Sequence, residues 1–493
     1  MNNLLVMKFG GTSMGSAARI KVAAGLCMEQ KRQRPLVAVV SAMSGVTDLL
    51  LDTLRYAENG DESKITANLE RLTARHVDAC GELLDGARRE FTIAAIHGLI
   101  ADFQRIANGV RMLSERPRRS VDEAIAIGER LSALMISQYL DASGVCVAAI
   151  NGADVIVTDE FFGNATPIIS ETRKKADQIV RPVLDRDEIA IVTGFNGAAM
   201  DGRPTTLGRG GSDFSASTLA AVLDASELWI WTDVDGIMSA DPRLVPDAEV
   251  LDSLTYNEAA ELAHHGAKVL HARTLMPLID RQIPVWTKNS FNLQHPGTRI
   301  VGSVEAPPGP RAVTSMSNVA LISLELASAA LSGARLMARA LEGLAQAKAE
   351  VLALTSSSYR QSFCFLVRKD ELAAVMKSLE TDLALELTHG YLKPISVNEN
   401  VGLLAVVGEG MRGRPGLAGR IFQAISRQDV NIIAIAQGSS ELTLSVVVRR
   451  DGLERAIRAV HKECRRLQSA PNQLYDSALT RPGRDSRARA AAV

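Results

Sequence analysis

Four short apolar runs limit most strongly what this chain can fold into. They span residues 4–9, 36–41, 189–194 and 227–234. The third lies in EIAIVTGF, which is apolar throughout rather than alternating, as is typical of a parallel strand buried on both faces. Helical spacing follows most runs, and residues 46–139 predict several helices in succession. The pattern predicts an α/β domain with a mainly parallel sheet sandwiched by helices.

The pattern changes after VEAPPGPR, a segment with three prolines that predicts a linker. Residues 318–389 and 401–466 each predict the order strand, helix, two strands, helix, which indicates an internal duplication of α+β units. LALELTH, 383–389, predicts a closing strand for the first unit, and AVTSMS, 312–317, is expected to complete the second. The predicted boundaries are 1–303 for the α/β domain, 304–311 for the linker, 312–389 and 390–468 for the two units, and 469–493 for a disordered tail.

Composition excludes several classes of partner. The net charge of −1 gives no global attraction to nucleic acid or to an anionic membrane. No apolar run approaches the roughly 18 residues of a membrane span, and the first residues lack a signal peptide, so a soluble, cytoplasmic protein is expected. Five scattered cysteines without a Cys-x-x-Cys pair disfavour disulfides and zinc, and the adjacent His264 and His265 are expected to be structural.

The segment KFGGTS, residues 8–13, lies between the first predicted strand and a helix. Gly10 and Gly11 let backbone amides approach an anion, the helix N-terminus adds its dipole, and Lys8 adds a full positive charge. A tight turn with a capping hydroxyl is the alternative interpretation, because the spacing is not that of a P-loop.

A second glycine-rich segment, TTLGRGGSD at 205–213, again precedes a helix. Helix capping explains Ser212 or Asp213 but not Arg209 among three glycines, and an arginine can grip a carboxylate with two parallel hydrogen bonds. This segment therefore predicts a binding loop.

Three further segments carry weaker signals. WTDVDGIMSADPR, 231–243, lacks the spacing of a calcium loop but is suited to line a nucleotide pocket at a sheet edge. In GAKVLHA, 266–272, Lys268 either reaches a polyphosphate or is a solvated lysine. GEGMRG, 408–413, matches a dinucleotide fingerprint only by spacing, since the required acid and βαβ series do not follow.

Six segments form an ordered set along the first domain. They are KFGGTS (8–13), SAMSGVTDLL (41–50), GERLSA (128–133), TTLGRGGSD (205–213), TDVDGIMSADPR (232–243) and GAKVLHA (266–272). In this order they resemble the aspartate kinase (aspartokinase) family of the amino-acid kinase superfamily. The two terminal units resemble its paired ACT domains, so the resemblance covers nearly all of residues 3–466.

The resemblance implies phosphoryl transfer from ATP, with Mg2+ carried by the nucleotide, to the side chain of L-aspartate, as the first step of the aspartate-family amino-acid pathway. It implies catalytic roles for Lys8, Arg209 and Asp213. The substrate positions it implies are Thr47, Glu129, Arg209, Ser212 and Asp213. The ATP positions it implies are Lys8, Gly10, Gly11, Thr12, Thr232, Asp233, Met238, Arg243, Lys268 and Val269.

The resemblance also implies regulation by an amino-acid effector, lysine or threonine, at an ACT interface, and a homo-oligomer that is at least a dimer. The chain departs from the family pattern at Met238, where tyrosine is common, and at Ala272, where proline is common. Two alternatives stay open: a kinase for another small carboxylate such as glutamate, and a catalytically silent amino-acid sensor.

Overall fold

A computed structural model describes residues 3–267, 270–305, 309–327, 332–357 and 362–469. The described residues fall into two compact units. The first lies within Met1–Ile237, Val250–Ala263 and Lys268–Val304, and the second lies within Met238–Glu249, His264–Ala267 and Glu305–Val493.

An eight-stranded sheet forms the centre of the first unit, in the order β3-β5-β2-β1-β8-β10-β11-β9. Its strands are β1 Leu5–Phe9, β2 Leu36–Val40, β3 Val147–Ile150, β5 Ile189–Thr193, β8 Glu227–Thr232, β9 Ser253–Thr255, β10 Val285–Asn289 and β11 Thr298–Val301. The strands from β3 to β10 in this order run parallel, and β11 is antiparallel to β10. The parallel α/β domain predicted from the apolar runs is confirmed.

A small three-stranded sheet lies beside this arrangement in the first unit, in the order β4-β6-β7. Its strands are β4 Val157–Thr158, β6 Asn196–Ala199 and β7 Pro204–Thr206. The last of them leads directly into the second glycine-rich segment.

The first unit also contains helices, some of which pack directly against the large sheet. They are α1 Ala17–Lys31, α2 Val46–Glu58, α3 Glu62–Leu83, α4 Gly86–Leu113, α5 Arg118–Ile125, α6 Ile127–Ala142, α7 Gly152–Val155, α8 Ile169–Ile179, α9 Arg181–Asp185, α10 Gly211–Val222, α11 Tyr256–His264 and α12 Ala272–Ile279. The alternating residues Leu5, Met7 and Phe9 of β1 share one apolar core with α1 to α6, while α10 contacts β1 and β8. The predicted helical series over 46–139 is therefore confirmed as α2 to α6.

The second unit is built on a six-stranded antiparallel sheet, in the order β13-β14-β12-β15-β17-β16. Its elements are β12 Ala312–Leu324, α13 Gly333–Gln346, β13 Ala353–Ser357, β14 Ser362–Arg368, α14 Leu372–Asp382, α15 Ala384–Thr388, β15 Ser396–Val407, α16 Leu417–Ser426, β16 Ile432–Gln437, β17 Thr443–Arg449 and α17 Leu453–Ser469. An α+β architecture is confirmed for this part of the chain.

The long strand β12 serves both halves of this sheet. Residues 312–316 pair with 403–407 of β15, and residues 319–324 pair with β14. The pairing of β12 with β15 shifts register between Met316 and Val319 and again between Val319 and Leu321. At this point β12 passes from one half of the sheet to the other.

The strand predicted over 383–389 is wrong, because Ala384–Thr388 is the helix α15. Leu383, Leu385 and Leu387 alternate as in a strand, but Leu, Ala and Glu all favour helix. Leu385 is 67% exposed, whereas Glu386 is buried and pairs with Arg339. The strand that pairs with β12 at this point comes later, at residues 396–398 of β15.

Two short segments from within the first 300 residues belong to the second unit. In Met238–Glu249, Ala240 and Val245 are buried in the core formed with α16 and α17. In His264–Ala267, His264 lies 2.9 Å from Glu350, and His265 bonds with Ser445 at 3.1 Å. Part of the predicted linker, residues 306–308, and the predicted tail from residue 470 lie outside the described residues. None of the helices within the described ranges is long and apolar enough to cross a membrane.

Candidate active site

A cavity of about 740 Å3 lies in the first unit, where the parallel strands end. Loops that follow β1, β2, β5 and β8 all contribute to its wall, together with α5, α6 and the start of α10. Ligands of open parallel sheets commonly bind at this edge, because the loops there converge. The cavity is therefore the candidate site.

Lys8 and Asp213 form an ion pair within this cavity. Lys8 is the fourth residue of β1, and Asp213 lies in the first turn of α10. The Lys8 Nζ lies 2.5 Å from Asp213 Oδ1, and the two side chains are only 11% and 14% exposed. A carboxylate at a helix N-terminus beside a fixed ammonium group orients that ammonium toward the cavity.

The loop after β1 approaches its neighbours closely. A Cβ added to Gly11 would lie 3.1 Å from the carbonyl oxygen of Ala42, so a larger residue would push two loops apart. Within the described residues, the backbone amides of Gly11 and Thr12 donate no hydrogen bond. Two free amides beside a lysine are suited to donate hydrogen bonds to phosphate oxygens.

The Arg209 loop joins β7 to α10 through two left-handed glycines. Gly208 and Gly210 have φ angles of 74° and 71°, a region that side chains rarely adopt. The turn leaves Arg209 exposed on the cavity wall, and its guanidinium pairs with no described residue. Arg209 is therefore free to bind a carboxylate.

Glu129 lies in the first turn of α6 and is 3% exposed. Its Oε1 accepts a hydrogen bond from the amide of Ala42 at 3.1 Å, while its Oε2 has no partner among the described residues. Burial raises the pKa of Glu129 to about 8, and the bond from Ala42 opposes the rise. A buried acceptor without a partner is costly, so this oxygen is a natural partner for a cationic ligand group.

The structure brings most of the predicted site residues together. The cavity wall includes Lys8, Gly10, Gly11, Thr12, Thr47, Glu129, Arg209, Ser212, Asp213, Thr232 and Asp233. Met238 and Arg243 instead belong to the second unit, where Arg243 pairs with Asp241. Lys268 and Val269 lie outside the described residues.

Other lining residues are absent from the sequence prediction. Ser41 and Ser44 lie in the segment SAMSGVTDLL and Phe195 ends EIAIVTGF, but neither pattern predicts that these three side chains line a cavity. Asp122 also lines the cavity, although it is one of several charged residues in its helix, RRSVDEAI, and the sequence does not distinguish it from them. Only its buried position, at 1% exposure, identifies it.

The described residues contain no group of three or more His, Cys, Asp or Glu side chains placed to hold a metal ion.

The parallel sheet, with a cavity at its strand ends and helices on its faces, defines an α/β protein with a candidate ligand site. The sequence model of the amino acid kinase family matches residues 3–289, and an ACT domain model matches residues 404–464. Since the first match covers more than half of the 493 residues, the chain belongs to the amino acid kinase family.

Individual relatives agree with this assignment. The chain is 35% identical over 464 residues to the bifunctional aspartokinase/homoserine dehydrogenase 1 of Arabidopsis thaliana, with 92% of this chain and 50% of the relative covered. It is 29% identical to the aspartokinase of Schizosaccharomyces pombe, covering 93% of this chain and 92% of that protein. The chain thus spans about half the length of the plant relative and nearly all of the yeast one.

Solved structures of E. coli aspartokinase III have a similar fold. The complex with aspartate and ADP, in the R-state, gives a TM-score of 0.83 at 28% identity, over 94% of this chain and 99% of that one. The complex with lysine and aspartate, in the T-state, gives a TM-score of 0.74 at the same identity and coverage.

Proposed function

We propose that the chain is an aspartate kinase, which transfers the γ-phosphoryl group of MgATP to the side-chain carboxylate of L-aspartate. The observation that carries the proposal is the composition of the cavity. One wall holds the ion pair of Lys8 and Asp213, and two groups without partners among the described residues, the guanidinium of Arg209 and Oε2 of Glu129, line the same space. The carboxylate and ammonium groups of an α-amino acid match the guanidinium of Arg209 and the carboxyl group of Glu129. The phosphates of a phosphoryl donor need a positive charge such as that of Lys8.

The chain's own residues have distinct tasks in this proposal. Arg209 binds the α-carboxylate, Glu129 binds the α-ammonium group, and Thr47, Ser212 and Asp213 complete the substrate wall. An oxygen of the side-chain carboxylate attacks the γ-phosphorus, the bond from that phosphorus to the ADP oxygen breaks, and the products are 4-phospho-L-aspartate and ADP. The attacking carboxylate is already ionised at neutral pH, so no strong general base is needed.

Lys8 offsets the repulsion between the two anions that meet in this step. Asp213 holds the lysine ammonium in place before the phosphates arrive. The free amides of Gly11 and Thr12 add neutral donors to the same phosphates.

The remaining nucleotide contacts are assigned by the family resemblance to Gly10, Thr232, Asp233, Met238, Arg243, Lys268 and Val269. Mg2+ usually keeps several waters and binds through one or two carboxylates plus substrate phosphates. Carboxylates on the cavity wall, such as Asp48 and Asp233, could serve in that mode. We therefore propose that Mg2+ enters with the nucleotide, whose charge it neutralises.

The proposal extends to regulation and assembly. The family resemblance and the ACT match support an amino-acid effector, lysine or threonine, in the second unit. Strands β13 and β16 are the edges of its sheet and carry the exposed apolar residues Leu354 and Ile435. Edge strands of this kind favour pairing with another chain, so we expect a homo-oligomer that is at least a dimer.

Hydroxamate formation tests the reaction directly. The chain is incubated with MgATP, hydroxylamine and either L-aspartate or L-glutamate, with and without lysine and threonine. Hydroxamate formation with L-aspartate but not with L-glutamate supports the proposal. Suppression of this reaction by lysine or by threonine identifies the effector. Hydroxamate from glutamate alone would identify the other carboxylate kinase, and amino-acid binding without any hydroxamate would identify the silent sensor.

A further inference from the structure

A second buried carboxylate, Asp122, lies on the cavity wall and has no role in the reaction proposed above. It is 1% exposed and belongs to α5. Its Oδ2 accepts hydrogen bonds from the amides of Gly163 at 2.8 Å and Thr206 at 3.0 Å, and its Oδ1 accepts one from the Thr206 hydroxyl at 2.8 Å. Burial raises the pKa of Asp122, and the bonds from Thr206 and Gly163 oppose that rise.

The three donors come from two separate loops. Gly163 is 41 residues from Asp122 along the chain, and Thr206 is 84 residues away. The loops are also joined to each other, because the amide of Ala165 donates to the carbonyl oxygen of Thr206 at 2.8 Å. Asp122 is thus the point at which both loops are attached to α5.

The attachment is close to the substrate groups on both sides. Thr206 is the last residue of β7, and Arg209 follows three positions later. On the other side, α5 ends at Ile125 and α6 begins at Ile127, with Glu129 in its first turn. One carboxylate therefore connects the helical segment that carries Glu129 to the loop that carries Arg209.

Arg209 itself pairs with no described residue, so the position of its guanidinium depends on how the backbone of its loop is held. Its flanking glycines allow many backbone conformations, and each conformation would place the guanidinium differently. A guanidinium binds a carboxylate with two bonds only when both groups are held at a fixed distance and angle.

We propose that Asp122 is a positioning residue that holds the Arg209 loop at a fixed distance from Glu129, so that one amino-acid substrate meets both groups. This inference rests on the proposed substrate roles of Arg209 and Glu129. It does not require Asp122 to contact the substrate.

The test compares Asp122→Ala with Asp122→Asn and with the control Glu123→Ala, which alters an exposed carboxylate of the same helix. In Asp122→Ala we expect the Michaelis constant for L-aspartate to rise about tenfold or more, while that for ATP changes less than about twofold. Asp122→Asn should restore most of the affinity, because its amide oxygen can accept both backbone bonds and its NH2 group can donate to the Thr206 hydroxyl.

Amide hydrogen exchange gives a second readout that needs no substrate. Residues 204–211 should exchange about tenfold faster in Asp122→Ala, while residues 401–407 of β15 keep their rate. Unchanged exchange over 204–211, or equal rises in both Michaelis constants, would overturn the proposal. If wild type makes no phosphoaspartate, the proposed function fails, and exchange alone decides whether Asp122 anchors the loop.

Thr206→Val provides the decisive variant if Asp122→Ala does not fold. It removes one of the three donors and keeps the backbone bond. A rise of about threefold in the Michaelis constant for L-aspartate is expected, and an unchanged constant would contradict the role of Asp122.

Discussion

In the proposed reaction, Lys8 supplies the positive charge that phosphoryl transfer between two anions needs. Lys8→Ala should lower kcat by about two to four orders of magnitude, because no other described group replaces the ammonium beside Asp213. Steady-state ADP release measures the loss. Lys21→Ala, which removes an exposed lysine of α1, should keep wild-type kcat. A Lys8→Ala enzyme with near-normal turnover would remove Lys8 from the phosphate site.

The raised pKa of Glu129 predicts how kcat/KM for L-aspartate depends on pH. Because burial raises its pKa to about 8, the free enzyme carries mostly neutral Glu129 at pH 7, and the ionised form appears as pH rises. The ionised form pairs with the α-ammonium group, so kcat/KM for L-aspartate should increase through about pH 8. The profile of Glu129→Gln should lack this rise, and an unchanged profile would show that another group controls it.

The amino-acid sequence alone predicts part of the site. Lys8 and Arg209 are indicated by the sequence because each stands beside glycines next to a predicted strand, whereas a role for Asp213 is implied only by the family resemblance. Asp122 could not be found in this way. Its partners are 41 and 84 residues distant, and nothing in the sequence around it marks a buried carboxylate.

At the scale of elements, α3 contains a buried histidine that should make the first unit sensitive to acid. His76 is fully buried, its Nδ1 bonds to the carbonyl oxygen of Leu72 at 2.7 Å, and its Nε2 has no partner among the described residues. Burial lowers the pKa of His76 below its ordinary value, an effect partly opposed by the bond to Leu72.

The sign of the effect follows from proton binding. Below about pH 6.5 the unfolded chain binds a proton at this histidine more readily than the folded chain, so stability is complete above that pH and decreases as pH falls toward the folded pKa. His76→Leu should reduce the slope of unfolding free energy against pH by up to about 1.4 kcal/mol per pH unit between pH 6.5 and 5. Urea unfolding followed by helix content measures it. His97→Leu, an exposed histidine on α4, is the control and should leave the slope unchanged.

Elements differ in how well a sequence predicts them. Strands β1, β2, β5 and β8 were predicted because burial on both faces requires continuous apolar runs. Strands β6 and β7 are not predicted, because they have only three or four residues and include Asn, Gly and Pro. The sequence does indicate a strand at 155–157, but β4 is Val157–Thr158 and overlaps it only at Val157. At 383–389, alternation suggested a strand, but helix propensity and the pairing of Glu386 with Arg339 favour α15.

At the scale of the whole molecule, the chain does not divide into its two units at a single linker. Met238–Glu249 interrupts the first unit in sequence but packs within the second. The amide of Val313 donates to the carbonyl of Ser239 at 2.8 Å, and Arg458 donates to the carbonyl of Leu244 at 2.8 Å. The segment also carries Met238 and Arg243, two positions that the family resemblance assigns to ATP.

A chain that ends at Val304 lacks most of the second unit, and we expect the segment Met238–Glu249 to lose its structure as well. Ala240 and Val245 would be exposed without the core of α16 and α17, so the segment should open. We expect trypsin to cleave after Arg243 about tenfold faster in the truncated chain than in the full chain.

Val245→Asp in the full chain is the matched variant, because it places a charge in the same core without shortening the chain. It should reproduce the faster cleavage after Arg243, whereas cleavage after Arg186, on the surface of the first unit, should stay as in wild type. Equal cleavage after Arg243 in all three proteins would mean that the segment folds without the second unit. Faster cleavage after Arg243 in both altered proteins would instead mean that packing against the core of α16 and α17 keeps this segment folded.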